Sequence, residues 1–222
     1  MEQRGLESLK DRHSPMMSRT HIAVGVASAL LVAPTGSIGS ACAAVIGGSL
    51  GGIIADCDIT PSKAHRDALV GRLLVAAIAA GSLAIDHWLD AGICDYLVGH
   101  LGMRLVAGVV LFCALTFAGS HTDHRSLTHS LLAMAAFCLA THLACGPLLP
   151  YFAMGYASHL LLDLTNTRGI RLLYPSKRTL GLGWCSAKGR ANDAALVLGI
   201  AAATLLLVYR VGSYVGLAIT FT

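Results

Sequence analysis

Seven apolar stretches, nearly free of charge, follow one another along this chain, and they restrict the fold more than any other feature. They cover residues 22–33, 38–55, 68–85, 98–118, 130–144, 148–164 and 194–211. About 20 apolar residues carry a helix across a bilayer. In hydrocarbon every backbone N–H and C=O must be paired internally, so continuous helices are the economical answer. The chain is 55% hydrophobic with only 13% charged residues, and its mean hydropathy of +0.67 is in the membrane range. Its 24 glycines and few aromatics suit helices whose backbones approach closely. The expected fold is therefore all-α, a polytopic membrane helical bundle.

Two breaks divide the pattern. Pro34-Thr35-Gly36 ends the first stretch early, leaving a half-span or the first leg of a helical hairpin. Gly146-Pro147 separates the fifth stretch from the sixth. Residues 1–20 form a polar head, expected to be cytoplasmic, and residues 21–222 a single helical membrane domain. The head lacks the apolar core of a cleaved signal peptide. The seven cysteines are scattered without a CxxC pair and read as reduced thiols.

Against this background, clusters of histidine and aspartate stand out. Ionisable groups near a bilayer are costly unless paired or bound to metal. The first cluster is Asp56-Cys57-Asp58, with His65 close behind. The second runs from His124 through Arg125, Ser126, Leu127 and Thr128 to His129. The third is His159 to Asp163, and His21 stands where the first apolar stretch begins. Counting crossings between them gives an even number each time. Every cluster thus returns to one membrane face. All Lys and Arg except Arg104 and Arg210 fall on that same side. The positive-inside rule makes it cytoplasmic, so the expected location is the inner or plasma membrane, with the site facing the cytoplasm.

Each cluster has two readings of its own. His159 and Asp163, spaced i, i+4, share a helix face and could be metal ligands or a buried ion pair. His124 and His129 do not align on one helix. They fit if His124 lies in a loop and His129 opens the next helix, with Thr128 or Ser126 as its cap. Asp56 and Asp58 project to one side if the backbone is extended, and would then repel without a cation between them. Taken together, four elements delivering Asp or His to one face point to a single polynuclear metal site. Imidazole and carboxylate donors favour Zn²⁺, with Mn²⁺ or Fe²⁺ as alternatives, and seven ligands suggest two or more ions. Such ions acidify water and polarise phosphoryl or carbonyl oxygens, so hydrolysis is the natural chemistry. Arg125 could clamp an anionic oxygen.

The basic, glycine-rich loop 165–193 is open to two descriptions. It could lie along the headgroups, with Tyr174 and Trp184 at the interface, or it could be a solvated connector.

At these residues the chain resembles the YdjM-like family of membrane-bound metal-dependent hydrolases. The matching stretches are His21, Asp56-Cys57-Asp58, His124-Arg125-Ser126-Leu127-Thr128-His129-Ser130, and Gly155-Tyr156-Ala157-Ser158-His159 to Asp163. Gly169 and Tyr174-Pro175 continue the match. Where the family carries a histidine after its second aspartate, this chain has Ile59, and His65 is the candidate replacement. A fainter similarity to zinc-dependent phospholipases C suggests phosphoester hydrolysis.

The expected function is thus a membrane-bound metal-dependent hydrolase acting on a lipid or amphiphilic phosphoester. His21, Asp56, Asp58, His65, His124, His129, His159 and Asp163 are the candidate metal ligands. Arg125 and Asp58 are the candidate catalytic residues. A metal-binding transporter and a scaffold with a structural metal are the rivals. The expected partners are the bilayer and the lipid-like substrate, with no nucleic acid, and the oligomeric state is open.

Overall fold

The computed structural model describes residues 18–58, 102–184 and 189–212. The expected stretch 68–85 and His65 lie outside the described residues. Six α-helices carry the described fold: α1 (Ser18–Val32), α2 (Ile38–Ile54), α3 (Gly102–Ser120), α4 (Leu131–Ala144), α5 (Leu149–Thr165) and α6 (Arg190–Gly212). Short 3-10 turns follow α2 at Ala55–Asp58 and precede α5 at Gly146–Leu148. Among the described residues the only extended pairing is the isolated bridge between Ile170 and Leu180. The chain is an all-α bundle, as its apolar pattern requires.

Local chemistry sets the boundaries. The break at Pro34 to Gly36 is a tight turn, with Gly36 at φ +76. The Ser37 hydroxyl then caps α2 by accepting from Ser40 N at 3.2 Å. At α4 the cap is Ser130, which accepts from Ala133 N at 3.1 Å. It is neither Thr128 nor Ser126, and His129 stays in the preceding loop. The Thr128 hydroxyl is used elsewhere, as described below. Gly146-Pro147 divides α4 from α5, and a proline in the first turn of α5 fits a position that lacks a partner for its N–H anyway.

Three helical stretches are long and apolar enough to cross a membrane: Ile38–Asp58, Gly102–Ser120 and Arg190–Gly212. Helices α1 and α4 are apolar but shorter. The outer faces of α3 and α6 carry exposed Val106, Val110, Phe117, Val197, Leu198 and Leu205. Uncovered apolar side chains of this kind are what lipid contact demands.

Inside, α2 packs against α1 and α5, α1 also meets α6 and α5, and α3 lies on α4. Glycine makes the central contacts possible. A Cβ at Gly48 would stand 2.6 Å from the Gly25 carbonyl oxygen, and one at Gly52 would stand 2.6 Å from that of His21. Backbone therefore meets backbone, the arrangement that small residues permit in membrane bundles. An aromatic core of Phe137, Phe152 and Tyr156 fills the space between α4 and α5. The Tyr156 hydroxyl donates to the Thr128 carbonyl at 2.5 Å, fastening the α3–α4 loop to α5.

The two ends of the bundle differ. At one end Arg210 donates from Nε and Nη2 to the carbonyls of Leu30 and Leu31, 3.2 and 2.9 Å away. A basic side chain thereby satisfies the last carbonyls of α1. At the other end Thr20 donates to Asn192 Oδ1 at 2.8 Å, both fully buried, tying the starts of α1 and α6 together. The histidines and aspartates gather at this second end.

Candidate metal centre

Four segments supply the site: the first turn of α1, the 3-10 turn after α2, the α3–α4 loop, and the last turns of α5. The 3-10 turn differs from the extended backbone expected at Asp56 and Asp58. With three residues per turn, it sends side chains two apart in different directions. Asp56 meets the histidines of α4's approach and α5, while Asp58 turns to the loop.

Asp58 organises that loop. It is buried and accepts three hydrogen bonds: His124 Nδ1 to Oδ1 at 2.8 Å, Arg125 N to Oδ2 at 3.0 Å, and Thr128 Oγ1 to Oδ2 at 2.6 Å. The loop tightens further where Ser126 Oγ donates to the Asp123 carbonyl. Arg125 adopts φ +65, a left-handed conformation uncommon for a side-chain-bearing residue, and the bond from its N–H to Asp58 helps hold it there. Thr128, a capping candidate by sequence, thus spends its hydroxyl on Asp58 and not on the helix.

The other acid of the pair faces the tightest cluster. Asp56, His129, His159 and Asp163 each present a ligand atom to a common space. His129 Nε2 lies 3.0 Å from Asp163 Oδ2, 3.3 Å from His159 Nε2 and 3.6 Å from Asp56 Oδ1. His159 Nε2 lies 3.6 Å from both Asp56 Oδ1 and Asp163 Oδ2. Tetrahedral Zn²⁺ with bonds of 2.0–2.1 Å has donor–donor edges of roughly 3.4 Å. The observed separations of 3.0 to 3.6 Å fall on either side of that value. His159 Nδ1 is 2.7 Å from the Gly52 carbonyl oxygen, to which it donates. That bond fixes the tautomer and leaves the Nε2 lone pair for the pocket. The donor set and its spacing fit a divalent cation.

Charge supports the fit. Burial disfavours a proton on His129, but hydrogen bonds to the carboxylates of Asp163, Asp56 and Asp58 outweigh it and raise its pKa well above the usual histidine value. The pocket therefore attracts positive charge, whether proton or metal ion.

Around this core sit three further groups. His21 stacks on His159 with ring centroids 3.9 Å apart, and its Nε2 is 3.8 Å from Asp163 Oδ1. Arg125 donates from Nη2 to the same oxygen at 3.0 Å. A second group, Asp58, His124 and His129, shares His129 with the first. All seven predicted ligands within the described residues thus meet at one end of the bundle, and Arg125 is among them.

Two features escaped the sequence. Gly52 acts through its carbonyl, which no side-chain pattern reveals. Asn166, one turn beyond Asp163, is buried with its Nδ2 lacking a partner among the described residues, and its backbone N–H donates to the Asp163 carbonyl at 3.1 Å. Its place three residues after Asp163 was the available signal.

The family described as YdjM inner membrane protein matches residues 16–217, nearly the whole chain. This chain belongs to that family. The match spans every element that carries a ligand, so the site described here lies wholly within the family region. Membership makes it an inner membrane protein, consistent with its three candidate spans. No curated protein and no solved structure matches the chain.

Proposed function

We propose that this YdjM family member is a metal-dependent hydrolase of a phosphoester on a lipid or other amphiphile, with its centre at the cytoplasmic face. One observation carries the reading. Arg125 is buried beside the four-group pocket, yet its Nε and Nη1 have no partner among the described residues. Leaving a buried donor unpaired costs about 1–3 kcal/mol, more for a charged group. A site that only held a metal for stability would gain nothing by it. An anionic oxygen arriving from a substrate would satisfy both donors.

Asp56, His129, His159 and Asp163 would hold one ion, Zn²⁺ first and Mn²⁺ or Fe²⁺ next by donor type. Asp58, His124 and His129 would take a second, with His21 packed behind His159. A bound divalent ion supplies an acidified water and polarises a phosphoryl oxygen. The protein's own part is positioning. Arg125 keeps Nη2 on Asp163 and offers its other donors to the phosphoryl oxygens. The Asp58 bonds hold the loop that carries Arg125 and His129. Burial of the cluster excludes bulk water.

The test is hydrolysis by metal-loaded protein in lipid nanodiscs, against a panel of phospholipids, polyprenyl phosphates and simple esters. Activity lost with chelator and restored by Zn²⁺ or Mn²⁺ supports the proposal. No hydrolysis, together with ion flux across liposomes, would replace it with the transporter reading.

One observation favours a structural metal. Four protein donors can close a tetrahedral shell, which is the pattern of structural zinc. Oxygen donors also allow five or six positions, which would leave room for water. Tightly bound metal whose removal unfolds the bundle, in a protein that hydrolyses nothing on the panel, would favour the structural alternative.

A further inference from the structure

The segment after α5 has a shape and composition that the metal centre does not explain. Main-chain bonds fasten it to the ligand-bearing end of the bundle. Arg171 N donates to the Arg125 carbonyl at 3.1 Å, and Leu131 N to the Leu172 carbonyl at 3.0 Å. Leu182 N and Trp184 N donate to the carbonyls of Leu164 and Thr165, at 2.8 and 2.9 Å. Ile170 and Leu180 exchange two bonds of 2.8 Å, closing the segment into a loop. Its position on the bundle is therefore fixed.

The outer surface of this loop is both apolar and basic. Leu173 is 58% exposed, Leu182 49% and Trp184 75%. Arg168, Lys177 and Arg178 are exposed among them, and residues 164–184 contain no acidic side chain. An apolar surface in water would be a liability, yet hydrocarbon is closed to a loop whose backbone is largely outside regular structure. The depth that accepts both is the headgroup layer, where tryptophan rings settle and Lys and Arg meet lipid phosphates.

We propose that residues 166–184 form a platform that binds the anionic phospholipid headgroups of the surrounding bilayer. Leu173, Leu182 and Trp184 enter the upper acyl region, and Lys177 and Arg178 hold phosphates. The Arg171 bond to Arg125 puts the platform beside the loop that carries the ligands. This inference does not depend on the metal or on any activity.

The chain has two tryptophans. Replacing Trp88→Phe leaves Trp184 as the single reporter in full-length protein. The protein is placed in mixed nanodiscs of phosphatidylglycerol and phosphatidylcholine, with bromine near the headgroup of one lipid or the other. Trp184 fluorescence should be quenched by both lipids, and more by brominated phosphatidylglycerol. A preference of about fivefold is expected for each basic residue engaged, from the usual attraction of Lys or Arg to an anionic surface. Lys177→Glu with Arg178→Glu should remove the preference while quenching itself persists. In the unsubstituted loop, about 1 M salt should do the same, because screening then acts within about 3 Å. Trp184 untouched by either brominated lipid and freely quenched by aqueous iodide would overturn the proposal. So would equal quenching by the two lipids at low salt.

Discussion

The Nε2 atoms of His129 and His159 face each other at 3.3 Å, inside a pocket that also holds two carboxylates. His159 cannot supply the hydrogen between them, because its own proton is on Nδ1, donated to Gly52. The hydrogen there must come from His129 Nε2, and a metal ion in the pocket would have to replace it.

Metal uptake should therefore release protons. Because the surrounding carboxylates raise the His129 pKa in the metal-free fold, the ring holds its proton more strongly than a free imidazole and must lose it to act as a ligand. Affinity should fall as pH is lowered, by about tenfold per pH unit for each proton displaced. Titration calorimetry in buffers of different ionisation enthalpy measures the proton count directly. A count of zero at neutral pH would mean that His129 is not a ligand.

Arg125→Lys separates catalysis from metal holding. Lysine keeps the charge and loses the planar set of donors. Metal content should stay near the wild-type value while kcat/KM falls by about 10²–10³, the usual loss when a preorganised transition-state donor is removed. An unchanged kcat/KM would remove Arg125 from the chemistry.

Gly52→Ala tests how helix packing sets the site. In a helix this change is normally favourable by about 1 kcal/mol. Here the added Cβ would stand 2.6 Å from the His21 carbonyl oxygen, forcing α1 and α2 apart and moving the carbonyl that orients His159. The variant should melt at a lower temperature in detergent. It should also bind metal about 10–100-fold more weakly, as when an outer partner of a metal-bound histidine is lost. A more stable variant with full affinity would contradict the packing described here.

Much of this centre was legible because its residue types are expensive in an apolar chain. His21, Asp56, Asp58, His124, His129, His159 and Asp163 are conspicuous there, and the fold brings them to one end. Their division of labour was not legible. Asp56 and Asp58 look equivalent in sequence, and only the 3-10 turn after α2 sends one to the pocket and the other to the loop. The cap of α4 is Ser130, not Thr128 or Ser126, although all three are capping residue types; Thr128 is held by Asp58 and Ser126 by the Asp123 carbonyl. The contribution of Gly52 depends on which helices touch, a tertiary fact. His65 and the stretch 68–85 lie outside the described residues, so the replacement for the histidine missing at Ile59 is untouched by the structure.

The side of the membrane is open to a labelling test. The loop that carries Ser176 lies at the ligand-bearing end, and the distribution of Lys and Arg predicts that this end is cytoplasmic. A cysteine introduced as Ser176→Cys should resist an impermeant maleimide added to intact cells, and react once the membrane is opened, relative to the parent protein. Ready reaction from outside would invert the topology.

The most direct measurement is X-ray absorption on gently purified protein, paired with elemental analysis. The account predicts at least one Zn²⁺-like ion per chain, and more than one if the Asp58 group also loads. Its nearest neighbours should be nitrogen and oxygen at about 2.0–2.1 Å with two imidazoles, as expected for His and Asp ligands. A sulfur shell near 2.3 Å, or a metal content well below about one equivalent, would contradict it.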